Sequence, residues 1–239
     1  MEQDLTTGSV FKRIVYFSLP YLLSYFLQTL YGMADLFITG QFYGVDTITA
    51  VSNGSQIMHM MTVIIVGLAM GTTVTIGHSV GAKCMEQAEK IIGNTITLFM
   101  GIAVAFTVIL VALVKPIVVL IATPQEAVAG TSIYLLICFI GIPFITAYNI
   151  ISSIFRGLGD SKSPMYFIGI ACVMNIALDY LFMGAFHMGA AGAALGTVCA
   201  QTFSVLVALW VIRRRKTGIS LKKSCLLYTS PSPRDSTSS

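Results

Sequence analysis

The chain has 239 residues, of which 56% are hydrophobic and 10% charged, and its net charge is +4. A mean hydropathy of +0.84 lies far outside the balance of soluble domains and points to an integral membrane protein. The positive charge sits in short clusters between apolar runs, which argues for membrane topology and against nucleic acid as a partner.

The polar stretch Met1 to Ser9 precedes an apolar run that is too long for a signal-peptide core and lacks a small-residue cleavage site, so this run is expected to be a retained helix. It extends from about Ile14 to Gly40, with Pro20 in its first half and Asp35 near its far end; the proline removes a backbone donor and favours a bend. A second segment, about Ile48 to Gly77, carries Gly67-Leu-Ala-Met-Gly71 and leads into Gly77-His-Ser-Val-Gly81, small residues that let helix backbones approach closely in lipid. After the polar connection Ala82 to Lys90, a nearly uniform apolar segment runs from about Ile91 to Val114. A break at Lys115-Pro116 leads to a fourth segment, about Ala127 to Ile151, containing Tyr134, Pro143 and Asn149. The turn-rich basic loop Phe155-Arg-Gly-Leu-Gly-Asp-Ser-Lys-Ser-Pro164 follows. The fifth segment, about Met165 to Met183, holds Asn175 and Asp179, and the sixth, about Ala190 to Ile212, holds Gly192-Ala-Ala-Leu-Gly196 and Thr197 before Arg213-Arg-Arg-Lys216.

The expected fold is all-α, a polytopic bundle of six membrane-crossing helices. The expected organisation is an N-terminal cytoplasmic stretch 1–13, a transmembrane lobe 14–212, a basic cytoplasmic connection 213–224 and a tail 225–239. The tail is Ser- and Pro-rich, resembles a translated sequencing-adapter read-through and is expected to be foreign to the fold, so that the natural protein continues past about Lys223. Lys12, Arg13, Lys83, Lys90, Arg156, Lys162 and Arg213 to Lys216 fall at one set of helix ends and Lys115 at the other, which places the N-terminus in the cytoplasm.

Asp35 and Asp179 are the two acids inside apolar segments. A carboxylate at bilayer depth is unfavourable by about 2.5–3.5 kcal/mol on insertion scales, so such a group faces protein or water and marks a functional site. Asn175 and Asp179, four residues apart, lie one turn apart on one helix face. The bland alternative is that the acids, together with Asn149, Asn175 and Thr197, merely bridge helices. Tyr134 is as consistent with core packing as with ligand contact, while Gln28, Gln56 and the methionines Met58, Met60 and Met61 suit a cavity wall. His59, His78 and His187 lack partners at metal-ligand spacing, and Cys84, Cys138, Cys172, Cys199 and Cys225 have neither metal nor disulfide spacing. No HExxH, GxSxG or P-loop is present, so an enzyme is not expected.

These features together, Pro20 followed by Asp35-Leu-Phe-Ile-Thr-Gly40 and Ala50, the glycine-rich end of the second segment, Phe155-Arg-Gly-Leu-Gly-Asp160 and Asn175-Ile-Ala-Leu-Asp179, resemble the N-terminal lobe of a multidrug and toxic compound extrusion (MATE) transporter over about residues 10–220. The resemblance implies one six-helix lobe of a twelve-helix, two-lobe protein working by alternating access, with a C-terminal lobe as its partner. It implies an antiporter that exports organic cations, amphiphiles or drugs against H+ or Na+, without a cofactor, set among the lipids of the cell membrane and, in bacteria, the inner membrane. It also implies a cation or proton site of Asp35, Asn175, Asp179 and Thr197, extended into the cavity by Tyr134 and Asn149, with no metal ion expected beyond Na+ at that site, whose oxygens suit a hard cation. Competing expectations are a lipid-linked precursor flippase, for which basic residues should line the cavity, and a non-transporting half-transporter fragment.

Overall fold

The structure, a computed structural model, describes residues 10–215. The expectations for residues 1–9, for the connection beyond 215 and for the tail 225–239 lie outside the described residues. The described chain is helical throughout: α1 (Val10–Phe42), α2 (Val45–Gly81), α3 (Met85–Ala112), a short α4 (Val114–Leu120), α5 (Gln125–Ile140), α6 (Ile142–Gly157), α7 (Lys162–Asp179), a π-helical turn (Tyr180–Ala185) and α8 (Gly189–Arg215).

Four of these spans, α2, α3, α7 with its π turn, and α8, are long and apolar enough to cross a membrane, and α5 with α6 makes a fifth that is bent by 53°. Of the two helices left, α4 is short, and α1 has 33 residues, but Ser18, Ser24, Gln28, Thr29 and Asp35 dilute its apolar character. Helix α1 faces outward with a stripe of exposed Leu19, Leu23, Phe26, Leu30 and Phe37. Such spacing on a lone surface would be costly in water and is what a lipid-facing helix presents.

The fourth sequence segment is the bent pair. Pro143 stands in the first turn of α6 and has no N–H to offer the Phe139 carbonyl one turn back, so the helix breaks at Gly141. Thr107 of α3 supplies the missing donor, its hydroxyl bonding Phe139 O at 3.1 Å. Two further hydroxyls fasten neighbouring helices in the same way: Thr73 of α2 donates to Ser153 O of α6 at 3.1 Å, and Ser204 of α8 to Phe167 O of α7 at 2.8 Å. In hydrocarbon each such bond satisfies a group that water cannot reach.

Lys115-Pro116 does not break the chain into a loop, because the proline is accommodated near the start of α4. The basic loop is also shorter than its turn residues suggest: α6 continues through Gly157 and α7 begins at Lys162. Phe155 is held in α6 by edge-on packing against Phe167, with ring centroids 5.5 Å apart. Asp160 then starts α7, its carboxylate accepting the N–H groups of Lys162 and Ser163, both at 3.0 Å, and the Ser163 hydroxyl at 2.6 Å.

The closest helix partnerships are α2 with α5 and α6, α1 with α7, and α7 and α5 with α8. The largest apolar core spans α2, α5 and the start of α8 and includes Val51, Tyr134, Leu135, Phe139 and Ala193. Helices α1 and α7 therefore sit side by side, which brings the first intramembrane acid toward the second.

Candidate functional site

Asp179 closes the last turn of α7 and Asn175 precedes it by one turn, so helical pitch stacks their side chains. The Asn175 Nδ2 donates to Asp179 Oδ1 at 3.3 Å. Both side chains are fully buried. Asp35 reaches them from α1, where it is 4% exposed, and its carboxyl group neighbours that of Asp179. Three oxygens of this cluster, Asp35 Oδ1, Asn175 Oδ1 and Asp179 Oδ2, are buried with no hydrogen-bond partner among the described residues. Buried acceptors of this kind are costly unless a donor or a cation meets them. Two adjacent carboxylates also repel, and a shared proton or a bound cation relieves both problems at once.

The backbone around Asp179 is shaped for this position. The α-helix changes there to a π turn, in which the Phe186 N–H reaches back to Leu181 O at 3.0 Å. Single π turns of this type concentrate at functional sites. The turn is tied to α1 and to Tyr43 just beyond it: Tyr43 donates its hydroxyl to Met183 O at 3.1 Å and accepts the N–H of Gly189, at the start of α8, at 2.9 Å, while the Thr39 hydroxyl meets Asp35 O at 2.7 Å and lies against Met183 Sδ. Both acids are thereby fixed relative to the same short segment.

Gly196 of α8 is the residue that admits the Asp179 carboxylate. A Cβ at this position would collide with Asp179 Oδ1 and would sit 3.5 Å from Asn175 Nδ2. In the sequence Gly192-Ala-Ala-Leu-Gly196 is only a run of mostly small residues; the fold shows that its last glycine faces a carboxylate.

A cavity of about 410 Å³ lies beside the cluster, with walls from α1, α2, α5, α6 and α8. Asp35 is in its wall, whereas Asn175 and Asp179 are not, so the arrangement has two tiers: Asp35 borders the cavity and the Asn175–Asp179 pair lies behind it. Thr197, Tyr134 and Asn149 all line the cavity. Thr197 stands near the hydroxyls of Tyr31 and Tyr134. Tyr134 is held against α2 because Gly54 has no side chain; a Cβ there would run into the tyrosine ring. Asn149 donates from Nδ2 to Ile145 O at 2.8 Å.

Gln28, Gln56 and Met58 line the cavity, and Met60 and Met61 do not. His59, which has no metal-ligand spacing in the sequence, is in the wall as well. Sequence reasoning passes over Tyr31 and Gln201, also wall residues. The available signal is periodicity: Tyr31 precedes Asp35 by one turn and Gln201 follows Thr197 by one turn. No Lys or Arg is present in this wall among the described residues, and no group of three or more His, Cys, Asp or Glu is placed to hold a metal ion among them.

The family model described as MatE matches residues 20–181. The probable multidrug resistance protein YpnP of Bacillus subtilis is 33% identical over 213 residues, covering 89% of this chain and 48% of that protein. A crystal structure of MATE in the bent conformation is 26% identical, with a TM-score of 0.84, over 95% of this chain and 50% of that one. A transporter of the MOP superfamily from Pyrococcus furiosus, described as having a binding pocket of reverse polarity that suggests a different function, is 25% identical with a TM-score of 0.84, over 93% of this chain and 49% of that one. The chain spans about half the length of the curated relatives it matches.

Proposed function

Because the chain belongs to the MatE family, we propose that it forms one lobe of an ion-coupled exporter of organic cations and amphiphilic drugs, acting with a second lobe of similar length by alternating access. The observation that carries this reading is the two-tier site: a cavity whose wall holds the Asp35 carboxylate and neither Lys nor Arg among the described residues, backed by the buried Asn175–Asp179 pair. A lipid-linked phosphate would be received poorly by such a wall, because no Lys or Arg in it among the described residues offsets its charge. An organic cation meets Asp35, tyrosine rings at Tyr31 and Tyr134, and amide oxygens.

In this reading the coupling ion, H+ or Na+, occupies the oxygens of Asp35, Asn175 and Asp179, and Thr197 lends its hydroxyl from the cavity side. All of these donors are oxygens, which suits a hard cation and a proton equally. Substrate and ion then share one residue, Asp35. Charge neutralisation at Asp35 by the ion weakens the hold on a cationic substrate and releases it. Coupling requires that the ion favour one conformer over another, since equal affinity shifts nothing. The ties from Thr39 and Tyr43 to the π turn give α1 a means of sensing the state of Asp179.

In this reading the lobe lies in the cell membrane with its N-terminus in the cytoplasm. Arg156 lies over the Tyr21 ring at 4.8 Å and Lys162 over the Tyr16 ring at 4.6 Å, so the basic α6–α7 loop shares an end of the bundle with the start of α1. Lys115 falls at the opposite end, in keeping with basic residues favouring the cytoplasm.

The test is Asp35→Asn in the full-length transporter, read as efflux of a fluorescent organic cation from membrane vesicles under an imposed proton or sodium gradient. Loss of gradient-driven efflux with normal membrane insertion supports the reading. Efflux that stays gradient-dependent in this variant removes Asp35 from the mechanism.

A further inference from the structure

Gln201 is 6% exposed, it lines the cavity, and its Oε1 is buried with no hydrogen-bond partner among the described residues. Gln28 and Gln56 share the wall but are more exposed, so water can serve them. The Thr202 and Ser204 hydroxyls on α8 are already engaged, with Val198 O and Phe167 O at 2.8 Å each, while that of Thr197, one turn before Gln201, makes no hydrogen bond to its Oε1. A buried amide acceptor without a donor is unfavourable, and its terminal torsion is soft enough to turn the oxygen toward a molecule in the cavity. Across the same cavity stands the Asp35 carboxylate, so a bound cation would have a charge partner and a directional acceptor together.

We propose that Gln201 is a specificity-determining residue that accepts a hydrogen bond from the N–H of a protonated amine, so that the cavity prefers ammonium ions bearing N–H over quaternary ammonium ions of the same skeleton. The inference rests on the cation-exporter reading and refines it. A quaternary nitrogen satisfies the charge of Asp35 but has no hydrogen for Gln201, which leaves the buried acceptor unpaired. Sites built to bond an N–H or O–H reject analogues lacking it far more strongly than apolar pockets reject a lost methylene.

The experiment measures binding of 4-phenylbutylammonium and its N,N,N-trimethyl analogue to the 239-residue chain in lipid nanodiscs, by titration calorimetry. The wild type is expected to bind the ammonium about ten-fold tighter than the quaternary ion, as a hydrogen bond to a charged group implies. Gln201→Met, which keeps length and removes the acceptor, is expected to collapse that ratio by weakening the ammonium alone. Gln201→Glu, which keeps an acceptor oxygen, is expected to retain the preference. Equal binding of the two cations to the wild type overturns the proposal whatever the variants do. A preference that persists unchanged in Gln201→Met also overturns it while leaving the cation reading intact. Binding of neither cation overturns both.

Discussion

Replacing Gly196 by alanine puts a methyl group where the Asp179 carboxylate now lies. The added Cβ would collide with Asp179 Oδ1, and Asn175 Nδ2 stands 3.5 Å away, so the carboxylate must swing off and give up its 3.3 Å bond from Asn175. Overpacking of this kind costs about 1–3 kcal/mol. Alanine is a better helix former than glycine by about 1 kcal/mol. The net loss of stability is therefore expected to be small, about 0–2 kcal/mol. The larger effect falls on ion binding, because two of the proposed ligands move. An ion at 100 times its dissociation constant stabilises the protein by about 2.7 kcal/mol, and a ten-fold loss of affinity lowers that to about 1.4 kcal/mol. The assay is thermal unfolding in nanodiscs across a sodium series at fixed pH and a pH series without sodium, comparing Gly196→Ala with Gly67→Ala. A Cβ at Gly67 meets nothing within 4 Å, so this control is expected to keep the full ion response. A Gly196→Ala protein whose ion-dependent stabilisation equals that of the wild type would refute the argument that Gly196 exists to admit the carboxylate.

Gly54→Ala should displace the Tyr134 ring, because the new Cβ would overlap it; the expected cost is about 1–3 kcal/mol, and a double-mutant cycle with Tyr134→Ala should recover much of it as coupling. Independent effects in that cycle would contradict the packing. Tyr21→Ala removes the ring beneath Arg156 and should loosen the first turns of α1 by about 0.5–1 kcal/mol, seen as faster amide exchange before Pro20 and unchanged exchange around Asp35. Asp160→Ala strips three hydrogen bonds from the start of α7 and should lower stability by about 0.5–2 kcal/mol, whereas Asp160→Asn, which keeps an acceptor, should lose less. Equal unfolding midpoints for Asp160→Ala and the wild type would show that the α7 start is held otherwise.

The chemistry of the site is more legible in the sequence than its layout. Asp35 and Asp179 stand out because acids are rare in apolar segments, and Asn175 follows from helical spacing, since both signals are local. Which face of the cluster each residue serves depends on how helices pack, and here the sequence is silent: Thr197 belongs to the cavity wall and Asp179 is fully buried, although both lie in apolar helices. The π turn at Tyr-Leu-Phe-Met-Gly-Ala185 has no marker in its composition and is sustained by tertiary ties from Tyr43 and Thr39. The bend at Gly141 is readable from Pro143, but its tolerance depends on Thr107 arriving from another helix. Glycines pose the same difficulty, since Gly196, Gly54 and Gly67 look alike in the chain and only their neighbours distinguish a carboxylate, an aromatic ring and open space. The fold class itself follows from the length and spacing of the apolar runs, which depend on the bilayer thickness and on no detail of packing.

The most direct test of the buried site is hydrogen exchange on α7 and the π turn, read in nanodiscs with and without saturating sodium and across pH, for the wild type and for Asp179→Asn. Sodium or proton binding is expected to slow exchange over residues 175–185 and at the Asp35 turn of α1, and Asp179→Asn is expected to abolish the response while leaving the rest of the bundle protected. An ion response of full size in Asp179→Asn, or none in the wild type, would contradict the assignment of these oxygens to the coupling ion.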